Sequence, residues 1–358
     1  MNIEAYYQSS LQLLKQLIST KSMSGEEDET AQIILEHLQS NGIQPKRKGN
    51  NIYAFNEHYD PSKETILLNS HHDTVKPNSG YTLDPYTPIE MDGKLFGLGS
   101  NDAGGCLVSL INTFIHFYQE ALPFNLTLAC TAEEENSGRN GVESILDELG
   151  TLTYGIVGEP TEMHMAVAEK GLMVLDGVAK GVAGHAARDI GENAIYKAIE
   201  DISLLKSLQF PNVSKTLGPI KVSVTQVEAG YQHNVIPDQC KFVVDVRTTD
   251  AHTNEEVLEM IQQQVASDIK ARSIRLRPSF MPEDTPVFRA AKTLGVQHFG
   301  SATTSDQALI PVPTIKMGPG QSERSHTPDE FIWLDELKQG VQGYIQLIDQ
   351  LKIEYEKS

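Results

Sequence analysis

Four short apolar runs in this 358-residue chain are each followed by side chains able to bind a metal or move a proton. Ser70-His71-His72-Asp73 closes the first, Glu133-Glu134-Glu135 follows the second, Gly158-Glu159-Pro160 closes the third, and His326 lies in the loop after the fourth. Asp102 ends Gly97-Leu98-Gly99-Ser100-Asn101-Asp102, just before an apolar stretch of helical length. In open α/β sheets ligands collect beyond the carboxyl ends of the strands, so these residues are candidates for one shared site. Two imidazoles and several carboxylates, without a cysteine, suit one or two divalent ions held by nitrogen and oxygen, zinc first and cobalt or manganese as alternatives. Each motif alone has a plainer reading: a satisfied strand-end histidine, a solvated glutamate face, a turn at Gly158-Glu159-Pro160. Their joint occurrence at successive strand ends favours the metal site.

Side-chain alternation along an extended chain sends His71 and Asp73 to one side and His72 to the other. His71 can then bind a metal through one ring nitrogen while Asp73 or a neighbour holds the other nitrogen. The same alternation separates Glu134 from Glu135, so one can ligate while its neighbour faces a substrate water. Spacing does not say which.

The elements that must position these groups are legible as well. Leu11, Leu14 and Ile18 recur at helical spacing, as do Ile34, Leu35 and Leu38 ahead of Asn41-Gly42, so the chain opens on two amphipathic helices. Runs at 66–68, 126–130, 156–157 and 314–317 have strand length, and 107–117 reads as a buried helix, which together predict a layered α/β sheet. Between residues 169 and 283 the pattern shortens. Segments 172–178, 220–227 and 242–247 read as strands and 192–205 as a helix. Thr253 with Glu256 forms a capping-box signature opening a helix through residue 269, and 273–277 begins a last strand. The order βαββαβ is the split-βαβ arrangement, a unit able to sit as an insertion in another domain. The expected division is therefore 1–168 with 284–358, and an insertion at 169–283.

Composition narrows the partners. With 29 Lys and Arg against 48 Asp and Glu the formal charge is −19, a field that repels phosphate backbones and anionic lipid, so nucleic acid and membranes are not expected partners. No apolar run approaches the ~18 residues of a membrane span, and the first residues lack a basic stretch followed by an apolar one, so a cytoplasmic protein is expected. Cys106, Cys130 and Cys240 are too few and too scattered for a disulfide framework or thiolate zinc site, and Cys106 and Cys130 lie in apolar surroundings unsuited to a reactive thiolate.

In order and spacing, the motifs resemble the zinc-dependent amidohydrolases and metallopeptidases that include acetylornithine deacetylase, succinyl-diaminopimelate desuccinylase and aminoacylase. The resemblance rests on Leu68-Asn69-Ser70-His71-His72-Asp73-Thr74-Val75, Asp84-Pro85-Tyr86, and the run from Gly93 to Asp102. It continues through Thr131-Ala132-Glu133-Glu134-Glu135, Gly158-Glu159-Pro160-Thr161, Gly184-His185-Ala186, Asn234-Val235-Ile236-Pro237 and Ser325-His326-Thr327-Pro328. It implies that His71 and Glu159 bind one metal, Glu135 and His326 the other, and Asp102 bridges them. Glu134 would be the general base, with Asp73 orienting His71. The resemblance further implies a catalytic domain with a mixed sheet flanked by helices and an inserted ferredoxin-like lid that forms a homodimer. His185 would reach the partner subunit's active site to stabilise an oxyanion, and Asn234 and Arg247 would contact the substrate. Within the family the motif set is most similar to acetylornithine deacetylase, an arginine-biosynthesis enzyme. The implied reaction is hydrolysis of an N-acyl amino acid, Nα-acetylornithine to ornithine and acetate. N-succinylornithine, acylcitrulline, acyl-lysine or diaminopimelate derivatives, a dipeptidase or carboxypeptidase activity, and a non-catalytic metal- or ligand-binding relative are the alternatives. Two departures stand out: Ala103-Gly104-Gly105 replaces the usual Met-Lys-Gly, and Leu98 stands where arginine is common.

Overall fold

A computed structural model describes residues 3–188 and 190–357. The backbone divides into two compact units. The first takes the chain up to Val167, Phe280–Phe299 and the segment from Ser305 onward; the second is Ala168–Ser279 with a short return, Gly300–Thr304.

The first unit is built on a mixed sheet. Its strands run in the spatial order Lys46–Lys48, Asn51–Phe55, Asn125–Thr131, Thr65–His71, Tyr154–Val157, Thr314–Lys316 and Met165–Glu169. Thr65–His71 pairs in parallel with both Asn125–Thr131 and Tyr154–Val157, and Thr314–Lys316 continues the parallel set. All seven residues of Thr65–His71 and of Asn125–Thr131 are buried, so the apolar stretches at 66–68 and 126–130 are covered on both faces. Parallel neighbours also bring their carboxyl ends to one edge: His71 lies in register with Thr131, and Asn69 with Val157. The residues that follow these strands are therefore neighbours in space.

Helices cover the sheet. Ile3–Ile18 buries Leu11, Leu14 and Ile18 and leaves its polar face outward, while Gly105–Phe117 is apolar almost all round and is packed against both Ile3–Ile18 and the terminal helix Leu334–Glu356. Burying the Leu107, Leu110, Ile111 and Phe114 side chains, each fully enclosed, contributes about 1.5–3 kcal/mol apiece before chain entropy is set against it. A small antiparallel sheet of Phe331–Trp333, Lys94–Phe96 and Ile89–Met91 flanks the Asp102 loop in sequence on both sides.

The second unit has a four-stranded antiparallel sheet and two helices. In chain order they are Gly171–Lys180, helix Ala194–Ser207, Lys221–Ala229, Gln239–Thr248, helix Asn254–Gln264 and Asp268–Ala271, with spatial order second, third, first, fourth strand. That is the ferredoxin-like arrangement. Its last helix and strand differ from the sequence expectation. The helix stops at Gln264 rather than 269, and the strand is Asp268–Ala271 rather than 273–277. The cause is tertiary: the carboxylate of Asp201, on the other helix, accepts from the amides of Ala266 at 3.0 Å and Ser267 at 2.8 Å, which ends the helix and starts the strand early. The N-terminus of the helix follows its sequence, with Thr253 and Glu256 forming the reciprocal capping box.

Candidate metal centre

His71 is the last residue of its strand and is 1% exposed. Its Nδ1 lies 3.0 Å from the backbone oxygen of Asp73 and 3.3 Å from the Asp73 carboxylate. A ring N–H there would fix the tautomer and leave Nε2 available to a ligand. His72 turns away, its Nδ1 2.9 Å from the Thr30 hydroxyl and its Nε2 2.9 Å from the Asn50 carbonyl. Burial drives its pKa down to about 4, so it is a neutral structural histidine.

Asp73 also holds the glutamate turn. Its carboxylate accepts from the amides of Glu134 and Glu135, both at 3.1 Å, and from the Ser24 hydroxyl at 2.6 Å. The expected strand alternation between Glu134 and Glu135 is absent, because the strand ends at Thr131. Glu133 adopts φ 55° and a tight turn follows, closed by the Ser137 amide on the Glu134 carbonyl at 2.7 Å. The turn, not a pleat, separates the two carboxylates. Glu135 Oε2 meets His326 Nε2 at 2.9 Å, whereas Glu134 Oε2 lies 3.9 Å from His71 Nε2.

Asp102 stands between the two histidines. One of its oxygens is 3.4 Å from His71 Nε2 and the other 3.6 Å from His326 Nε2, the disposition of a carboxylate able to bridge two ions. Glu159 Oε1 is 3.7 Å from His71 Nε2. Among the described residues two groupings are close enough to hold an ion, His71 with Glu134 and Glu159, and His71 with Asp102 and Glu135. Glu134 is thus within ligating range as well as Glu135. The loop bearing Asp102 starts at Gly99, φ 75°, where a Cβ would come within 2.6 Å of Thr74 Cγ2. A Cβ on Gly104 would come within 2.4 Å of the Gly99 carbonyl oxygen, which accounts for glycine at that position in this chain.

The electrostatics fit a cation. His71 Nε2 is buried and has no hydrogen-bond partner among the described residues, although three carboxylates face it. An orphaned buried nitrogen inside a ring of acids is costly unless something binds it. Burial opposes protonation of His71, yet Glu134, Asp102 and Asp73 outweigh it and raise its pKa well above the ordinary value. Burial, reinforced by Asp102, lifts Glu159 to about 8. Burial likewise pushes Glu134 well up, with Glu159, Asp306 and Glu135 adding to it against the pull of His71. Burial works against Asp102 too, but His71, Ser325 and His326 together keep it below the usual carboxylate range. The cluster has more negative charge than its own cations neutralise, and divalent ions would take the place of the protons it otherwise retains.

The structure brings His71, Asp73, Asp102, Glu134, Glu135, Glu159 and His326 together in the first unit. His185, Asn234 and Arg247 lie in the second. There His185 pairs with Val235 across a two-stranded ribbon, and the Ala186 amide donates to the Asn234 carbonyl at 3.0 Å, so His185 and Asn234 are near neighbours. Arg247 is engaged by Asp245 through Nε at 2.9 Å and Nη2 at 3.1 Å. Sequence reasoning missed three supporting acids. Glu27, fully buried, accepts from the Gly25 amide at 2.6 Å and the Glu133 amide at 3.2 Å. Asp306 accepts from the Thr131 hydroxyl at 2.7 Å, and burial raises it to about 6. Glu330 receives the amides of the Asp102 loop. Only Glu330 had a signal, its place four residues beyond His326.

Known proteins are similar to this chain in sequence and in fold. The description "Peptidase family M20/M25/M40" matches residues 67–350. The chain is 27% identical to an acetylornithine deacetylase of Proteus mirabilis, over 90% of this chain and 91% of that protein. It is equally 27% identical to a probable carboxypeptidase of Aspergillus flavus, over 93% of this chain and 88% of the other. A Bacillus subtilis structure described as a dinuclear metal binding peptidase of the M20 family superposes with a TM-score of 0.75 at 19% identity, covering 99% of this chain and 100% of that one.

Proposed function

Because this chain belongs to peptidase family M20/M25/M40 it is a hydrolytic enzyme, and we propose that it removes the acyl group from an N-acyl amino acid, Nα-acetylornithine foremost. The observation that carries the metal-dependent reading is His71 Nε2, buried without a hydrogen-bond partner among the described residues and faced by Asp102, Glu159 and Glu134. His71 and Glu159 would hold one divalent ion, Glu135 and His326 a second, and Asp102 both. Zinc is the first expectation and cobalt or manganese the alternatives. When bound, such a pair lowers the pKa of a coordinated water and draws electron density from the acyl carbonyl.

The chain's own residues do the rest. Asp73 locks the tautomer and orientation of His71 and fixes the turn carrying both glutamates. Glu134 accepts the proton of the attacking water and returns it to the leaving nitrogen, the two proton transfers amide hydrolysis needs. His185 of the partner subunit donates to the oxygen on which negative charge develops, and Asn234 and Arg247 take the polar groups of the substrate, the carboxylate above all. In this reading the second unit is lid and dimer surface, in a homodimer working in the cytoplasm, where the three buried, unpaired cysteines would stay reduced. Among the described residues no helix is long and apolar enough to cross a membrane.

The acetyl-ornithine choice is supported by the likeness to acetylornithine deacetylase over nearly the whole chain. The test is kcat/KM of the metal-loaded protein on N-acetyl and N-succinyl ornithine, citrulline, lysine and diaminopimelate, with dipeptides in parallel. Nα-acetylornithine should be turned over best. A hundredfold preference for a succinyl compound or a dipeptide, about 2.7 kcal/mol of transition-state binding, would overturn the substrate and leave the chemistry standing. No turnover of any of them by protein carrying two ions would overturn the proposed substrate class.

A further inference from the structure

The segment carrying Asp102 has little secondary structure to hold it. Gly99 opens it at φ 75°, and Ser100–Gly104 makes a single widened turn with non-helical dihedrals at Asp102 and Ala103. Its amides converge instead on one side chain. Glu330 is 2% exposed, and its carboxylate accepts from the N–H groups of Asn101 at 2.8 Å, Asp102 at 2.9 Å and Gly99 at 3.2 Å. The Gly97 amide adds a bond to the Glu330 backbone oxygen at 3.0 Å. Asn101 and Asp102 share one oxygen of the Glu330 carboxyl group and Gly99 takes the other, so a single side chain gathers three amides of the loop.

Glu330 is also tied to the other end of the cluster. His326 and Asp329 both adopt the left-handed region, φ 60° and 54°, which non-glycine residues leave unless the surroundings hold them. Asp329 accepts from the Thr82 amide at 2.8 Å and the Leu83 amide at 2.9 Å, and Asn78 donates to the His326 carbonyl at 3.2 Å. Ahead of His326, the Asn101 side chain pairs reciprocally with the Gln321 backbone at 2.9 and 3.0 Å. The Asp102 and His326 segments are thus laced together at two points, one of them at the buried Glu330.

We infer that Glu330 is a positioning residue for the metal centre: by collecting the amides of the Asp102 loop from a fixed place four residues after His326, it sets the separation of these two ligands. The inference rests on the di-metal reading above. Glu330→Gln keeps the volume but aims an NH2 group at one of the three amides, so Asp102 loses its placement while every ligand remains.

The experiment is titration of the metal-free chain with Co2+, followed by calorimetry and by the visible absorption bands of the bound ion, on the unsubstituted protein and Glu330→Gln. The expected result is binding of at least one equivalent weakened about 10–100-fold, the range for lost supporting partners of metal ligands, with shifted bands. A lowered melting temperature with unchanged cobalt affinity and spectrum would mean a merely structural residue and would overturn the inference. Should Glu330→Gln not accumulate as folded protein, Glu330→Asp, which keeps the carboxyl group but withdraws it by one methylene, decides by the same two readouts. If the unsubstituted chain took up no cobalt, the di-metal reading itself would fall and this inference with it.

Discussion

Asp73 gives the sharpest separation between a ligand-orienting role and a backbone-holding one, and Asp73→Asn exposes it. In the folded protein its two oxygens accept from the amides of Glu134 and Glu135 and from the Ser24 hydroxyl. Asparagine can serve one amide through its single oxygen, but its NH2 group then faces the other. The variant loses a charge-assisted hydrogen bond and strands an N–H, for a combined cost of about 3 kcal/mol in this partly buried turn. At roughly 2–4 °C per kcal/mol for a unit of this size, melting of the metal-free protein should drop by about 6–12 °C. The His71 ring, by contrast, keeps its bond to the Asp73 backbone oxygen at 3.0 Å, so its tautomer should survive. The acid limb should change too. Despite burial, His71, Ser24 and the Glu135 amide hold the Asp73 pKa below its ordinary 3.8. A depressed folded pKa contributes stability that is present above the unfolded value and lost as pH falls through the folded one, so the Asn variant should lack that part of the acid-induced drop. Calorimetric melts from pH 2.5 to 7, with kcat and metal content, decide the matter. Unchanged melting together with abolished activity would refute the clamp and leave Asp73 as an orienting group for His71 alone.

Glu134→Gln should lower kcat by about 10²–10⁴ with both ions retained, because it cannot accept a proton, whereas Glu135→Gln should shed metal; near-normal turnover of metal-loaded Glu134→Gln would remove it as the base. His185→Ala mixed with Glu134→Gln should regain activity in heterodimers, one site of which draws sound parts from both chains. Lack of recovery after verified subunit exchange would place His185 outside the partner's site. Stripped of metal, the protein should melt at progressively lower temperature as pH rises from 5 to 8. Glu159, lifted to about 8 chiefly by burial, and His71, also raised, contribute stability that is lost as pH climbs through their folded values. Refilling with divalent ions should flatten that curve, and equal melting of the metal-free form at pH 5 and pH 8 would count against the clustered acids.

Much of this protein was determined by sequence alone. Apolar runs at 66–68 and 126–130 signalled buried strands, and chemistry-bearing residues after each run signalled a shared edge. Both follow from local periodicity and from the geometry of parallel strands, which need no knowledge of partners. The βαββαβ order and the Thr253 capping box were equally local.

Tertiary structure decided what depends on distant side chains. The helix expected to reach 269 stops at Gln264 because Asp201, far back in the chain, captures the next amides. Glu134 and Glu135 diverge through a turn pinned by Asp73, not through strand alternation. His72, indistinguishable in type from His71, is buried against Thr30 and Asn50 and stays neutral. Glu27, Asp306 and Glu330 gave almost no sign, since a buried acid is justified only by the amides and hydroxyls that surround it. Periodicity fixes which face a residue presents, but the partners waiting there, and hence its charge and its role, are set by segments that only folding brings near.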